Sequence, residues 1–475
     1  MILQESFTFA KVFLLARLYD LDVMAADVSN AYLNAPCREI FWIEAGPEFG
    51  SDQGYPMIVV RAWYGLKSSG AAWHALLSQT MLDMGYERCK ADYDVWMRSA
   101  TKPDGFEYYE YVLIFVDNIL HVSHNPIPTL KTLGEIYELK DDNIGPPERY
   151  LGANCGKYQL EDGTMAWYMS AYDYVKSSVK NVKEMLEKEN LKLATNRQAD
   201  RPYPEKYRPE IDISDELGDE LTNRYQQLIG ILRWAVELGR FDILYEVAKL
   251  SSHNVMPRKG HLEAVYNIFA YLGKHENSKM VFDYRRPVID ESGFVESDWH
   301  DQYGDACEQV PLNKPIPRGI PVKVSMWCDA DHAGNLLNRR SHTGLFIFIN
   351  KGLVDWYSKG QNTVESSTFG SETIALRTGV DKLQALRYKL YMMGVPIDGA
   401  ADIFCDNKSV CLTAQYPETR LSKKHNAINY HRIREAAAAG WIRVAFVPGT
   451  RNLADFLTKA LGTVKRKIIT WNLLR

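Results

Sequence analysis

The chain has 475 residues, of which 46% are hydrophobic and 24% charged, and its net charge is −4. This length predicts two to four domains of ordinary globular composition. The seven cysteines are scattered without a CxxC pair, which argues against a disulfide framework or a zinc ribbon and favours reduced thiols in an intracellular protein. No uncharged stretch is long enough to predict a membrane span, and overall basicity is absent, although a local basic groove suffices to bind nucleic acid.

The first half of the chain predicts a mixture of helices and strands. Residues 108–116 and 119–122 are rich in aromatic and β-branched residues and flank Asp117-Asn118, a pattern that predicts a β-hairpin. Apolar residues at helical spacing predict a helical region over residues 219–274. The remaining predictions are helices at residues 7–19, 71–85 and 171–187, a buried strand at 23–26, a loop at 125–128 and a linker at 198–213.

The clearest domain boundary is predicted at residues 283–323, which are rich in Pro, Gly and Asp. After residue 322 the pattern becomes sharper and predicts the order βββαβααβα, with a long helix at 369–392 and a last helix at 452–461. We therefore divide the chain into residues 1–125, residues 126–215 with the linker at their end, a helical part at 216–282, a second linker at 283–321 and a C-terminal domain at 322–475.

Four carboxylates of the C-terminal domain are predicted at strand ends and helix starts. Asp329 and Asp406 end the first and fourth predicted strands, Glu372 lies early in the long helix, and Asp455 begins the last helix. Two-metal phosphodiester hydrolysis needs such a set, since Mg²⁺ prefers oxygen ligands and retains some water. Taken singly, the residues have ordinary explanations: Asp406 as a helix cap, Asp455 as a partner of the helix dipole, and Glu372 as a solvated carboxylate. Their number and order argue against coincidence.

Several motifs of this region resemble the ribonuclease H domain of copia-type retrotransposon polyproteins. They are Cys328-Asp329-Ala330-Asp331-His332-Ala333-Gly334, Arg339-Arg340-Ser341-His342-Thr343-Gly344, Ser366-Ser367-Thr368 with Glu372, Cys405-Asp406-Asn407-Lys408, Lys424-His425 with Tyr430-His431, and Ala454-Asp455 with Thr458-Lys459. The resemblance implies a ribonuclease H fold with a mixed five-stranded sheet, in which Asp329, Glu372, Asp406 and Asp455 are catalytic and hold two Mg²⁺ ions, or Mn²⁺ in their place. It also implies that water cleaves the RNA strand of RNA–DNA hybrids.

Basic residues near these motifs are candidates for contacts with the phosphates of a hybrid. They are Arg339, Arg340, Lys423, Lys424 and His425. A solvated charge cluster is the equally weighted alternative. Some ribonucleases H carry a histidine in a flexible loop before the last carboxylate, but residues 448–452 form a short segment without one. Product release is therefore expected to use another group or to be slower.

The front half resembles the reverse transcriptase of the same family. The motifs are Ala25-Ala26-Asp27-Val28-Ser29-Asn30-Ala31-Tyr32-Leu33, Tyr64-Gly65-Leu66-Lys67 with Trp73, and Phe115-Val116-Asp117-Asn118. The resemblance implies a partial polymerase palm of an antiparallel sheet plus helices, followed by a helical thumb or connection region. It makes Asp27 and Asp117 metal ligands, places Tyr32 where the sugar 2′-hydroxyl is screened, and puts Lys67 in the template and nucleotide motif.

Two departures from the family pattern predict impaired RNA-directed DNA polymerase activity. Asn118 stands where the family has a second aspartate, and an amide oxygen is a weaker Mg²⁺ ligand than a carboxylate. The chain also begins 26 residues before Asp27, without the upstream fingers region of the family. We therefore expect a C-terminal polyprotein fragment. A working reverse transcriptase completed by an upstream segment is one alternative, and a decayed nucleic-acid-binding remnant without catalysis is another.

The same resemblance implies the partners and the location. The expected partners are an RNA–DNA hybrid, a template–primer duplex and other segments of the retroelement polyprotein, with no membrane. The expected location is cytoplasmic, in a virus-like particle if the element is active, or nuclear. Magnesium dependence separates the hypotheses, because a binding module holds hybrid equally well in chelator whereas the enzyme cuts only with metal.

Overall fold

The computed structural model describes residues 2–140, 144–204, 207–421 and 424–475. Helices surround one four-stranded sheet, two five-stranded sheets and a two-stranded ribbon. The strands are β1 (Asp22–Asp27), β2 (Trp42–Glu44), β3 (Pro56–Ile58), β4 (Glu87–Arg88), β5 (Val95–Thr101), β6 (Glu107–Phe115), β7 (Asn118–Ser123), β8 (Arg149–Tyr150), β9 (Ala153–Gln159), β10 (Met165–Ser170), β11 (Met280–Val281), β12 (Val324–Asp331), β13 (His342–Ile349), β14 (Gly352–Gly360), β15 (Ala401–Cys405) and β16 (Ile442–Phe446). The α-helices are α1 (Ile2–Leu18), α2 (Ser69–Asp83), α3 (Ile127–Ile136), α4 (Tyr172–Lys188), α5 (Asp219–Glu237), α6 (Leu244–Ser251), α7 (Lys259–Lys274), α8 (His300–Tyr303), α9 (Thr368–Met392), α10 (Lys408–Gln415), α11 (Ala427–Ala438) and α12 (Thr463–Leu473). This architecture confirms the α/β and α+β fold class predicted from the sequence.

The first sheet has the order β1-β7-β6-β5-β4, and all of its neighbouring strands are antiparallel. Strands β6 and β7 form the predicted hairpin, which turns at Val116 and Asp117. Val116 has a φ of 54°, a left-handed conformation that β-branched residues rarely adopt. Its carbonyl accepts a 2.7 Å hydrogen bond from Nε1 of the buried Trp73 on α2. Helix α2 therefore helps to hold the turn that carries Asp117.

The middle of the chain combines a second antiparallel sheet with helices. The sheet has the order β11-β10-β9-β8. Helices α5, α6 and α7 occupy the region predicted to be helical, and their apolar faces are buried in the main core. Residues 283–321, predicted to be a linker, contain α8 and contact the C-terminal sheet region through Glu308, which accepts a 2.6 Å hydrogen bond from Arg387 on α9.

The third sheet has the order β14-β13-β12-β15-β16 and is mixed. Strands β12, β13 and β14 are antiparallel neighbours, whereas β15 runs parallel to both β12 and β16. Helix α9 crosses over to connect β14 with β15. The observed sheet is the mixed five-stranded sheet that the sequence predicts. Parallel pairing of β12 and β15 brings their carboxyl ends to the same edge of the sheet.

Two local predictions were wrong. The loop predicted at residues 125–128 is shorter, because α3 begins at Ile127 with Pro128 in its first turn, where a missing N–H costs nothing. The last helix predicted at residues 452–461 is a 3₁₀ helix at Leu453–Leu457, and a further helix, α12, follows at Thr463–Leu473. Gly462 ends the linking segment and lies in extended conformation immediately before α12.

One apolar core extends through all three large sheets. Leu113 of the first sheet, Trp167 of the second and Phe346 of the third belong to it, whereas a smaller core lies between α2, α3 and the first sheet. The hydroxyl of Tyr111 on β6 donates a 2.8 Å hydrogen bond to the carbonyl of Met393 after α9. The proposed domain limits therefore stay a prediction, because one apolar core is continuous across them. Among the helices described, none has the length and apolar character needed to cross a membrane.

Candidate active sites

Four acidic side chains converge at one edge of the third sheet. Asp329 lies on β12, and Asp406 follows directly after β15, the parallel neighbour of β12. Glu372 lies in the first turns of α9, whose N-terminus is capped by the side chain of Ser367. Asp455 lies in the 3₁₀ helix between β16 and α12. The structure thus brings together the four residues that the sequence nominated as metal ligands.

The four carboxylates form two overlapping ligand sets. In one set, oxygens of Asp329, Asp406 and Asp455 all lie within 4.8 Å of one another. In the other, oxygens of Glu372 and Asp406 lie within 4.8 Å of each other and of the sulfur of Cys405. Asp406 is common to both. Across the described part of the chain, no further group of three or more His, Cys, Asp or Glu ligand atoms is this close.

Burial and mutual repulsion raise the pKa of three of these carboxyl groups, Asp329, Glu372 and Asp406. Burial raises the pKa of Asp329 to about 7, and the neighbouring Asp455 and Asp406 add to the rise. Burial also raises the pKa of Glu372 well above its ordinary value, and that of Asp406 less so. Oxygen Oε2 of Glu372 is buried without a hydrogen-bond partner. A buried carboxylate oxygen without a partner is costly unless a proton or a cation meets it.

Two lysines place positive charge in this cluster. Nζ of Lys459 lies 2.5 Å from Oδ1 of Asp455 and 3.7 Å from Oδ2 of Asp329. Lys465, from the first turn of α12, forms an ion pair with Asp455, and the hydroxyl of Thr458 donates a hydrogen bond to Asp329. The carboxylates of the cluster therefore already bind the ammonium groups of two lysines. The carboxylate donor set and the partnerless oxygen of Glu372 fit divalent metal ions, and Mg²⁺ by chemical preference.

Sequence reasoning missed three contributors to this site. Lys465 was missed because the helix that positions it, α12, was not predicted. Lys459 follows Asp455 by four residues, a spacing that signals an ion pair on a helical turn. Cys405 was counted only as a reduced thiol, although the Cys-Asp pair occurs twice, at Cys328-Asp329 and at Cys405-Asp406.

The basic residues predicted to contact phosphate differ in their exposure and in their protein partners. Arg339 and Arg340 are exposed in the loop between β12 and β13, and Lys424 is exposed before α11. Nε2 of His425 lies 3.0 Å from Oε2 of the buried Glu365, so this imidazole has a protein partner. Lys423 lies outside the described residues. The role of all five residues in binding phosphate stays a prediction.

A second acidic pair lies at the hairpin of the first sheet. Asp27 on β1 is the register partner of Asn118 on β7, and the N–H of Val28 donates a 2.8 Å hydrogen bond to the carbonyl of Asp117. Burial raises the pKa of Asp27, with a further contribution from the negative charge of Asp117. Nδ2 of Asn118 donates a 3.1 Å hydrogen bond to Oδ1 of Asp117. The Asn118 amide therefore donates a hydrogen bond to a carboxylate oxygen of Asp117, whereas an aspartate at this position would add a second carboxylate beside it.

The remaining residues of the polymerase-like set are near the surface. The ring of Tyr32 lies 4.6 Å from that of Tyr64, and the charges of Asp117 and Asp27 help to raise the pKa of Tyr64 after burial. Lys67 is exposed in the turn before α2. The structure therefore brings Asp27, Asp117 and Asn118 together, with Tyr32 and Tyr64 beside them, but offers two carboxylates where the nuclease-like edge offers four.

Comparison with known proteins confirms the resemblance to copia-type retrotransposon polyproteins. Residues 9–194 match the family described as reverse transcriptase (RNA-dependent DNA polymerase). The chain is 24% identical to the retrovirus-related Pol polyprotein from transposon RE1 of Arabidopsis thaliana over 92% of its length, and 25% identical to that from transposon TNT 1-94 of Nicotiana tabacum over 94%. It is 21% identical to the transposon Ty1-GR1 Gag-Pol polyprotein of Saccharomyces cerevisiae over 94%. The chain spans 23% to 30% of the length of these relatives.

Solved structures give weaker matches. The foamy viral protease-reverse transcriptase, solved with an RNA/DNA hybrid, covers 92% of this chain with 45% of its own length, at 10% identity and a TM-score of 0.40. The N-terminal ribonuclease H domain of a Mycobacterium tuberculosis protein covers 32% of this chain with 97% of its own length, at 18% identity and a TM-score of 0.23.

Proposed function

We propose that this relative of retrotransposon Pol polyproteins is a divalent-metal-dependent ribonuclease H, which cuts the RNA strand of RNA–DNA hybrids. The observation that carries the proposal is the convergence of Asp329, Glu372, Asp406 and Asp455 at one edge of the mixed sheet. Carboxylates on separate secondary-structure elements meet at one point only when the fold places them there. Their buried, mutually repelling charges then require cations.

The residues of the site have distinct tasks in this reaction. Asp329, Asp406 and Asp455 would hold Mg²⁺ through carboxylate oxygens, with Glu372 completing the set around Asp406. Bound there, Mg²⁺ would activate the attacking water and stabilise the leaving oxygen of the RNA strand. Thr458 fixes Asp329 by a hydrogen bond, and Asn452 anchors the segment before Asp455 by a 2.8 Å hydrogen bond from Nδ2 to the carbonyl of Cys328.

The positive charges near the cluster support the binding of a polyanion. Lys459 and Lys465 offset part of the carboxylate charge, which otherwise repels phosphate. Arg339, Arg340 and Lys424 are exposed and available to contact the hybrid backbone. Phosphate contacts of this kind fix the position of a duplex without reading its sequence. We therefore expect cleavage with little sequence preference.

The polymerase-like half supports a second, weaker activity. The match of residues 9–194 to reverse transcriptases and the pairing of Asp27 with the hairpin support a nucleotidyl-transfer site. The amide of Asn118 lowers its negative charge and hydrogen-bonds to Asp117, which reduces metal binding. We propose that nucleotide addition by this chain is impaired and that its partners are a template–primer duplex and other polyprotein segments.

Cleavage of an end-labelled RNA–DNA hybrid tests the nuclease proposal. We expect cutting of the RNA strand with Mg²⁺ or Mn²⁺, no cutting in chelator, and products with 5′-phosphate and 3′-hydroxyl ends. Asp406→Asn should lose at least about 100-fold in rate, since Asp406 belongs to both ligand sets and each tenfold corresponds to about 1.4 kcal/mol.

Asp398→Asn is the matched control, because Asp398 precedes β15, is half exposed and pairs with Arg286 instead of the cluster. It should cut at the rate of the original chain. Equal cutting by Asp406→Asn, or cutting in chelator, would contradict the proposal. Binding of hybrid in chelator by a folded chain that never cuts would instead favour a nucleic-acid-binding remnant.

A further inference from the structure

A cysteine immediately precedes each of two carboxylates of the cluster in the sequence. Cys328 precedes Asp329 on β12, Cys405 precedes Asp406 on β15, and the two cysteines are register partners on these parallel strands. A third thiol, Cys411 on α10, contacts Cys405. All three are buried. Three buried thiols therefore lie close together at this site, and oxygen-preferring Mg²⁺ does not use sulfur as a ligand.

The sulfur of Cys405 has the geometry of a metal ligand. It lies within 4.8 Å of carboxylate oxygens of Glu372 and Asp406. Ligands around a tetrahedral zinc ion lie roughly 3 to 4 Å apart, given bond lengths of about 2.0 to 2.3 Å. Small rotations of the side chains would close that gap. Oε2 of Glu372, in a side chain that is 94% buried, has no hydrogen-bond partner and is free to bind an ion.

Hydrogen bonds already orient the sulfur of Cys405. It accepts a 3.5 Å hydrogen bond from the N–H of Asn407, and the thiol of Cys411 donates a 3.6 Å hydrogen bond to the carbonyl of Cys405. Donors around a metal-bound thiolate stabilise its charge and fix its direction. The neighbours of Cys405 therefore supply the outer shell that a thiolate ligand needs.

We infer that Cys405, Glu372 and Asp406 form a binding site for a thiophilic divalent cation of the zinc or cadmium class. Such ions accept mixed sulfur and oxygen ligands in a tetrahedral arrangement, whereas Mg²⁺ does not take thiolate. Binding releases the thiol proton of Cys405 to solvent and leaves a fourth position for water. No redox change takes place.

Because Asp406 and Glu372 also belong to the Mg²⁺ set, the thiophilic ion excludes Mg²⁺ from them. This consequence rests on the proposed nuclease function. Zn²⁺ at a small fraction of the Mg²⁺ concentration should then inhibit hybrid cleavage. The binding itself does not depend on that function, so it is tested separately.

Cadmium binding to the intact chain tests the inference without any substrate. The charge-transfer absorption of cadmium thiolate reports each sulfur ligand directly. Cys37 and Cys307 are the two cysteines that are not buried, so a Cys37→Ser/Cys307→Ser background removes their signal. In that background we expect one Cd²⁺ per chain, bound in the presence of millimolar Mg²⁺.

Three further variants in that background decide the result. Cys405→Ser, which keeps shape but removes sulfur, should abolish the band, and Glu372→Gln should weaken Cd²⁺ binding at least tenfold. Cys89→Ser is the control, because Cys89 is buried near the first sheet and its thiol donates to the carbonyl of Met392. No band in the background chain, a band unchanged in Cys405→Ser, or equal loss in Cys89→Ser would overturn the inference. If Cys405→Ser fails to fold, unchanged Cd²⁺ affinity in Glu372→Gln would overturn it alone.

Discussion

Asp27 on β1 stands directly opposite Asn118 on β7, and the amide of Asn118 donates to Asp117 beside it. The three side chains thus form a polymerase-like site in which one potential metal ligand has become a hydrogen-bond donor. An aspartate at position 118 would add a third carboxylate to the repulsion that already raises the pKa of Asp27. The added negative charge would lower the stability of the site when no metal is bound, and the same charge would strengthen the binding of a metal ion.

We first predict that Asn118→Asp couples the stability of the first sheet to Mg²⁺. In chelator the variant should melt a few degrees below the original chain, and millimolar Mg²⁺ should reverse most of that loss. Nucleotide incorporation on a primed RNA template should rise from background. Asn125→Asp, in an exposed position after the hairpin, is the control and should change neither property. A melting temperature of Asn118→Asp that is indifferent to Mg²⁺ would refute this prediction.

The second prediction concerns Lys465, the lysine that α12 directs at Asp455. Its positive charge opposes the binding of a second cation, so Lys465→Met should raise the apparent Mg²⁺ affinity several-fold. Calorimetric titration of Mg²⁺ measures the change. Lys467→Met, on the exposed side of the same helix, provides the control. Unchanged affinity would mean that Lys465 leaves the cluster freely when metal arrives.

The third prediction concerns a buried ion pair between Arg466 and Glu246. Their side chains are 4% and 1% exposed, and Arg466 also donates to the carbonyl of Asp242. Arg466→Ala should lower the free energy of unfolding by about 3 to 5 kcal/mol, because it leaves Glu246 buried without its partner. Urea denaturation measures the loss.

A double variant separates the pair from the packing at this position. Replacing both residues, as Arg466→Met with Glu246→Gln, should recover part of the loss, since no unpaired charge stays buried. Lys467→Ala should change the free energy of unfolding by less than about 0.5 kcal/mol. An Arg466→Ala variant as stable as Lys467→Ala would show that the ion pair contributes nothing.

The fourth prediction is a pH dependence that originates at Lys11. This side chain is 3% exposed, and burial together with the charge of Lys389 lowers its pKa from 10.5 to about 7. The unfolded chain therefore binds more protons than the folded chain between pH 7 and pH 10.5, so this group makes stability rise with pH across that interval. Below pH 7 both states carry the proton and the destabilisation is complete.

Lys11→Met should consequently stabilise the protein by a few kcal/mol at pH 6.5 and by little at pH 10. Urea denaturation at the two pH values measures the difference. Lys131→Met, on the exposed surface of α3, should give no such pH dependence. A stabilisation by Lys11→Met that is the same at both pH values would contradict the assignment.

Much of the C-terminal sheet could be predicted because its strands contain apolar runs that are separated by polar segments. The placement of Asp406 directly after a strand follows from local sequence alone, whereas Asp329, predicted to end its strand, lies within β12, which continues to Asp331. Their convergence with Glu372 and Asp455 depends on the parallel register of β12 and β15, which the order of the elements implied but could not fix. The contact of Lys465 with Asp455 could not be predicted because α12 was not, and the proximity of Cys405 to Glu372 could not be predicted because it requires the spatial position of α9.

The hairpin of the first half shows a different limit. Its strands and turn could be predicted, and so could the loss of one carboxylate at Asn118. That the amide turns toward Asp117 instead of solvent depends on the left-handed backbone of Val116 and the hydrogen bond from Trp73. These arise from packing against α2, which has no signature in the residues around the turn.

Helix α1 has a consequence for the synthesis of this protein. Its Leu14 is fully buried, and a Cβ added to Gly352 at the start of β14 would lie 2.5 Å from the Leu14 side chain. The helix leaves the ribosome before the strand that covers it is translated. In that interval the nascent polypeptide carries an apolar helix without its final cover, a surface that chaperones recognise.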